Sequence, residues 1–530
     1  MKKTTLWVAA MAIAAGTSAQ QNPTALKYSK LITPEFAKQQ LSIIAADDME
    51  GRETGQPGAE KAAQYLAGQY KALGLLPANK GSYFLDVPLV TPAFKVYSFT
   101  VNGATLTSGK DFNGQGASDK KTVDVKDVVF VGYGDNLTAD ITGKVVMYIA
   151  ADKPAKPADP APAAPAARRR GLSPERTAIM QNINSKKPAL ILAINPMMGG
   201  TGGGFGGGRG GAGGGGGRMS VKRDATSPEA VISFTISPDV ASQILKPTGK
   251  TFAEVKAAID GGTPQSQTVK ADVNVSFGSE DVDLTVAKDI VAMIPGNDPK
   301  LKNEVLVFSA HYDHIGLVRT PGATDKVNNG ADDDGSGTTG ILTIARAFAQ
   351  AQKDGKGPRR TILFLGNVGE EKGLLGSDYY TRHPVFPLAN TITDLNIDMI
   401  GRVGYDHIGK ADSANYVYVI GAGRLSTDLN NASEKANKTY TNLFLDYQYE
   451  LHDEESFYTR SDHYNFAKHG VPIIFYFNGT HDDYHKPGDE VSKINFQLLA
   501  KRAQLAFFTG WDLANADKRP VVDAKDAPKN

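Results

Sequence analysis

Short apolar runs, each ending in charged or small polar residues, dominate the second half of the chain. DIVAMIPG, EVLVFSAHYD, RTILFLGNVGEE, ITDLNIDMIG, YVYVIGAG and VPIIFYFNG are four to seven residues of β-branched and aromatic side chains bounded by turn formers. Helical spacing separates several of them, as in TTGILTIARAFAQAQ, where a helix is expected to begin near Thr338. This alternation predicts an α/β fold with three layers: a mainly parallel central sheet flanked by helices. Residues 33–80 also read as helices, with Gly74 as a natural stop after GAEKAAQYLAGQYKAL. From about 84 to 150 the pattern changes to strands such as DVVFVGYG and KVVMYIAA, and KPALILAINP (187–196) predicts another.

Two biased segments interrupt the β-rich region. KPAKPADPAPAAPAARRR (153–170) and GGTGGGFGGGRGGAGGGGGR (199–218) hold too little apolar surface to offset their ordering entropy, so loops are expected. The organisation read from these shifts is a signal segment at 1–19, an N-terminal part of a catalytic domain at 20–112, and a β-rich insert at 113–283. The main catalytic part follows at 284–515, with a polar tail at 516–530.

Composition narrows the function. A formal charge of +1 over 530 residues argues against nucleic acid as the main partner. The absence of cysteine removes disulfides, thiolate metal sites and a cysteine nucleophile, so any metal must be held by His, Asp or Glu. MKKTTLWVAAMAIAAGTSAQ carries two lysines, an apolar run from Leu6 to Ala15 and then small residues, the layout of a signal peptide cleaved after Ala19. That run is short of the roughly 20 residues a spanning helix needs. The expectation is export to the periplasm or medium without stable membrane insertion.

The chemistry-bearing residues gather where the predicted strands end. His311 and Asp313 follow VLVFSA, Glu370 and Glu371 follow TILFLGNVG, Asp398 closes TDLNI, and His481 and His485 follow PIIFYFNGT. Ligands of open α/β sheets bind at that edge. Five of the nine histidines (311, 314, 463, 481, 485) lie in or beside these segments, which points to a metal held by imidazole and carboxylate. In HYD, His311 is a ligand and Asp313, two residues on, is placed to accept its second ring N–H. GADDDGSG (330–337) lacks the spaced oxygens and the twelfth-position Glu of a calcium loop, and a carboxylate bridging two cations fits it better. Ser461-Asp462-His463 cannot form a relay from consecutive residues, and neither G-x-S-x-G nor H-E-x-x-H occurs.

Taken in order, HYDHIG, GADDDGSG, VGEEKGLLGS, NIDMIG and SDHYNF…GTHDDYHKPGD resemble the co-catalytic two-zinc aminopeptidases. That family also holds glutamate carboxypeptidase-like peptidases and the metal-free transferrin receptor. The resemblance covers roughly 284–515 and extends to the N-terminal helices, while the insert resembles a protease-associated domain. It implies two zinc ions per chain, one held by His311 and Asp398, the other by Glu371 and His485, with Asp333 bridging. It also implies Glu370 as general base, Tyr484 as oxyanion stabiliser, and peptides as substrates. A carboxypeptidase or glutaminyl cyclase on the same fold is the alternative, and a metal-free exported binding protein the non-enzymatic one. The aromatic stretch TYTNLFLDYQYELHDEESFY (439–458) is a candidate lining for a side-chain pocket.

Overall fold

The computed structural model describes residues 21–116, 118–154, 174–198, 218–227, 231–263, 266–413, 415–453 and 455–523. The signal segment, most of the Pro/Ala-rich and glycine-rich stretches, and residues 524–530 of the tail lie outside them. The chain divides into two units, one comprising residues 1–89 and 285–530, the other Val90–Leu284. The second unit thus begins well before residue 113, because the strand Phe84–Val101 pairs beyond Leu89 with Ala104–Thr105 and Ser220–Val221.

In the first unit the strands run in the order Phe444–Asp446, Tyr416–Ile420, Ile473–Phe477, Thr391–Ile397, Val305–His311, Thr361–Asn367 and the 290–294 end of Gln267–Ile294. The four in the middle, from Ile473–Phe477 to Thr361–Asn367, are mutually parallel. Antiparallel pairs flank them on both sides. Every residue of Val305–His311, Thr361–Asn367 and Thr391–Ile397 is buried, as expected of strands covered on both faces. Alternate side chains serve different layers. Val305, Val307, Leu363 and Leu365 pack with Tyr380 and Phe466, which belong to helices Leu375–Arg382 and His463–Lys468. Phe308 and Phe364 stack on each other at 5.6 Å. On that side Phe308 meets Phe348 of helix Gly335–Lys353 at 6.0 Å, and Phe348 stacks on Trp511 of helix Phe496–Asn515 at 5.5 Å. The three-layer α/β arrangement is present.

The second unit has its own core, in which Phe99, Phe112, Phe234 and Phe277 meet ring to ring. It is more mixed than a β-rich insert. Lys121–Phe130, Val145–Ile149, Leu190–Ile194 and Ser233–Ile236 pair in parallel. Parallel neighbours need crossover connections, and helix Pro174–Ser185 lies within one of them. Helices Pro238–Leu245 and Phe252–Asp260 follow, the latter with a capping box from Thr251 and Glu254.

Two features position the metal-ligand candidates. Helix Gly335–Lys353 begins three residues before Thr338, because Asp334 caps it by accepting the N–H of Gly337. A Cβ at Gly337 would sit 2.2 Å from the carbonyl oxygen of Ile397, so glycine lets this helix start against the end of the neighbouring strand. Arg52 is fully buried and donates to four carbonyls: Tyr312 (2.7 Å), Ile44 (3.0 Å), Asn329 (2.6 Å) and Gly330 (2.9 Å). It therefore ties the His311–Asp313 turn to the loop that precedes Asp333. Burial opposes its charge, and Asp313, Asp333 and Asp489 favour it.

Arg52→Met should strand those carbonyls and lower the unfolding free energy by about 3–5 kcal/mol. Arg52→Lys should recover little of this, because three donors on a shorter stem cannot reach four divergent acceptors. Urea denaturation of both variants tests this, and an unchanged midpoint for Arg52→Met would reject the clamp.

Candidate metal centre

The carboxyl ends of the parallel strands converge on one cluster. His311 is the last residue of its strand, Asp398 follows Ile397, and Glu370 and Glu371 stand beyond Asn367 after a turn at Gly369, whose φ is +75°. His485 enters from the segment after Phe477, and Asp333 from the loop before the Gly335 helix. Nε2 of His311 lies 3.3 Å from Asp333 Oδ1, 3.6 Å from Asp398 Oδ1 and 3.8 Å from Glu370 Oε2. Nε2 of His485 lies 3.0 Å from Asp333 Oδ2 and 3.2 Å from Glu371 Oε2. The two oxygens of Asp333 thus face two different histidines.

Of the three consecutive acids only Asp333 does this. Asp332 is turned away, accepting from Ser336 Oγ and the Gly401 N–H and facing His481 Nε2 at 3.1 Å. Asp334 uses Oδ1 on the N–H groups of Gly337 and Met399. Its other oxygen is buried without a partner, and the residue lies within reach of His311 and Asp398. The backbone of the loop is held by the buried Asp489, which accepts the N–H groups of Asp332 and Asp333.

Glu370 and Glu371 diverge. Glu370 lines a cavity of about 30 Å³ together with Asp333 and Asp398, whereas Glu371 faces His485 and His314. Asp313 departs from its expected role. The nearest partner of His311 Nδ1 is the main-chain carbonyl of Asp313 at 3.1 Å, with the carboxylate farther away at 3.7 Å. A carbonyl only accepts, so Nδ1 carries the hydrogen and Nε2 of the neutral ring is left free to bind. The carboxylate accepts instead from Thr54 Oγ1 (2.6 Å) and the Glu370 N–H (3.2 Å), because the backbone leaves the extended form after His311. Asp313 therefore positions Glu370.

Tyr484 lines the same cavity, stacks on His485 at 4.0 Å, and accepts a hydrogen bond from Arg460 at 3.2 Å. The remaining walls include Met399, Phe457, Phe475 and Phe477. Sequence reasoning reached Phe457 through the aromatic stretch and missed the other three, which are strand and strand-end residues with no polar signature. It also missed Ser461, whose hydroxyl donates to Asp398 Oδ2 at 2.7 Å. His463 and His481 do not join the cluster. His463 donates from Nε2 to the Tyr458 carbonyl and stacks on Phe475.

The electrostatics follow from crowding. Burial drives the Glu370 carboxyl well above the usual range; His311 opposes this, and Glu371 and Asp398 add to it. Burial also works to raise Asp333, yet His311 and His485 hold it well below that range. Glu371 is pulled down to about 2 against burial and against Asp333, by His314 and His485. Burial opposes charge on His485, and Asp333 and Glu371 still push it up to about 10. Several buried atoms here have no hydrogen-bond partner: His311 Nε2, Asp333 Oδ2, Asp334 Oδ2, Glu371 Oε1 and both ring nitrogens of His314. Stranded lone pairs on carboxylate and imidazole, converging within 4.8 Å in two groups, are the donor set of a metal centre.

Such a cluster at the edge of an α/β sheet has the donor set of a metal-binding centre. Residues 289–509, which contain every member of the cluster, match the family model described as Peptidase family M28. The chain is 31% identical over 235 residues to leucine aminopeptidase 1 of Ajellomyces capsulatus (strain G186AR), covering 43% of this chain and 56% of that protein. It is 28% identical over 283 residues to a probable leucine aminopeptidase 2 of Aspergillus oryzae, covering 47% and 51%. The chain spans about half the length of the curated relatives it matches. Among solved structures, an aminopeptidase from Aneurinibacillus sp. strain AM-1 aligns at 18% identity and a TM-score of 0.46, covering 96% of this chain and 100% of that one.

One pH effect follows from a histidine outside the cluster. Burial lowers His463 from 6.5 to about 3, with the Tyr458 carbonyl opposing. Below pH 6.5 the unfolded chain binds a proton here that the folded chain refuses until about pH 3. Its contribution is therefore present above pH 6.5 and lost on acidification, at up to ~1.4 kcal/mol per pH unit. His463→Gln, which keeps the donor to Tyr458, should flatten that slope in urea titrations between about pH 4 and pH 7. An unaltered slope would show that His463 is not a source of acid sensitivity.

Proposed function

We propose that the chain is a zinc-dependent aminopeptidase that removes N-terminal residues from peptides. The observation that carries this reading is Asp333, whose two oxygens face His311 and His485 separately. One zinc ion would be held by His311, Asp398 and Asp333, a second by Glu371, His485 and Asp333. The aminopeptidase names of the relatives and the family match support the reaction class.

Bound zinc would supply Lewis-acid polarisation of the scissile carbonyl and lower the pKa of the attacking water. Glu370 takes a proton from that water as its oxygen attacks the carbonyl carbon, and delivers it to the nitrogen as the C–N bond breaks. A carboxyl whose pKa is raised by burial, with Glu371 and Asp398 adding to it, suits both roles. Asp313 fixes the Glu370 backbone, so the carboxylate points into the cavity. Burial keeps the Tyr484 phenol protonated. Arg460 donates to its oxygen, which leaves the phenolic O–H free to donate to the developing oxyanion. The walls formed by Met399, Phe457, Phe475 and Phe477 favour an apolar side chain at the substrate's N-terminal residue. Export is part of the same reading, supported by the two lysines and apolar run of residues 1–19.

Glu370→Gln should retain zinc while kcat falls on the order of 10²–10⁴-fold, whereas Glu371→Gln and His485→Ala should lose metal. Steady-state kinetics with elemental analysis tests this, and near-normal turnover of metal-replete Glu370→Gln would reject Glu370 as the base. Aminoacyl substrates with large apolar side chains should be cleaved, and a chelator or N-acetylation of the substrate should abolish cleavage. Equal cleavage of N-acetylated peptides would instead favour a carboxypeptidase. N-terminal sequencing of the mature protein should begin after Ala19, and a retained Met1 would count against export.

A further inference from the structure

His314 is the residue of the cluster to which neither the motif resemblance nor the proposed reaction gives a task. Its ring is fully buried and both ring nitrogens lack a hydrogen-bond partner. Its placement is rigid: its N–H donates to the Arg52 carbonyl, and the ring lies against Gly330, where a Cβ would come within 2.5 Å of it. An unsatisfied imidazole in the interior has lost its hydration with nothing in exchange, so a partner is expected.

The partner is indicated by a near miss. His314 Nδ1 lies 2.8 Å from Glu371 Oε1, yet neither atom has an aligned hydrogen bond. With the ring protonated the contact is an ion pair, whereas a neutral ring whose nitrogen lone pair faces a carboxylate oxygen at that distance repels it, unless both donate to a common cation. The neighbouring distances agree. His314 Nδ1 is 3.8 Å from Asp333 Oδ2, His485 Nε2 is 3.0 Å from that oxygen, and His485 Nε2 is 3.2 Å from Glu371 Oε2. Donors arranged tetrahedrally at ~2.0 Å from an ion stand roughly 3.3 Å from one another. These four separations bracket that value, and His314, Asp333 and Glu371 each bring a donor atom within 4.8 Å of the others. The rings of His314 and His485 meet edge to face, with centroids 5.7 Å apart.

We propose that His314 Nδ1 is a protein ligand of the ion held by Asp333, Glu371 and His485. This rests on the two-zinc reading above. The ion then has four protein donors, two of them imidazoles, while the His311 and Asp398 ion shares Asp333 and has three. Four protein donors make a closed site and three leave a position open. The His314 side is the tighter, anchoring site, and the His311 side is the one that exchanges its remaining ligand.

The test is zinc titration of the metal-free protein against a chromophoric chelator, on wild type and His314→Ala. Wild type should show two steps, and His314→Ala should weaken the tighter one by more than about a hundredfold, beyond the range typical for loss of an outer hydrogen bond. A smaller loss would overturn the ligand assignment. X-ray absorption of the zinc-loaded wild type needs no variant: three imidazoles shared by two ions support the proposal, and two imidazoles overturn it. Failure of the two-zinc reading is seen separately, as wild-type protein that binds no zinc or only one.

Discussion

Buried like charge is the constraint around which this fold is arranged. Asp333 and Glu371 present oxygens within 4.8 Å of each other, as do Asp334 and Asp398. At an effective dielectric constant of about 20, each such pair costs about 3–4 kcal/mol if both are ionised. Three histidines stand among them, and the remaining unpartnered atoms call for positive charge. A site of this kind persists only if the surrounding chain leaves its carboxylates no escape to water. The strands end there fully buried, and the loops between them are held by groups that do no chemistry themselves.

Those supports are specific. Arg52 holds the turn after His311 and the loop before Asp333 through four carbonyls. Asp489 and Asp332 then fix the peptide planes of residues 331–333 and the backbone at Gly401. Ser461 holds one oxygen of Asp398, and Asp313 holds the Glu370 N–H. His311, Asp333, Asp398 and Glu370 thus each have a further group holding the side chain or the backbone that carries it. Such orienting partners tune metal affinity and basicity as strongly as many direct contacts.

The cluster is also divided in its duties. Glu370, Tyr484 and Asp398 line the cavity, whereas Glu371 and His314 are turned inward. Adjacent residues Glu370 and Glu371 can differ this much because the turn at Gly369 and the following Leu374, with φ of 60°, break the strand's alternation. One face of the cluster opens onto the cavity and the other is enclosed.

Much of this was legible in the chain, since it depends on local pattern. Apolar runs of strand length, ending in acids and histidines, specify both a buried sheet and the edge where a ligand can sit. The strand ends at HYD and VGEE therefore pointed to His311, Glu370 and Glu371 before any contact was known, and GADDDGSG to a bridging carboxylate that only the family resemblance narrowed to Asp333. Three things lay beyond local pattern. Which of three consecutive acids faces both histidines depends on Asp489 and Gly401, far away in sequence. The direction of the Asp313 carboxylate and the His314 ring depends on where the backbone leaves the strand and on Arg52 closing the loop above it. The parallel pairing inside the second unit needs crossover connections, and the one helix described in them, Pro174–Ser185, has weak apolar spacing. Periodicity determines which residues are buried and where the chain turns. Only tertiary packing decides which atom of a buried polar side chain faces which partner, because that choice is made by groups dozens to hundreds of residues away.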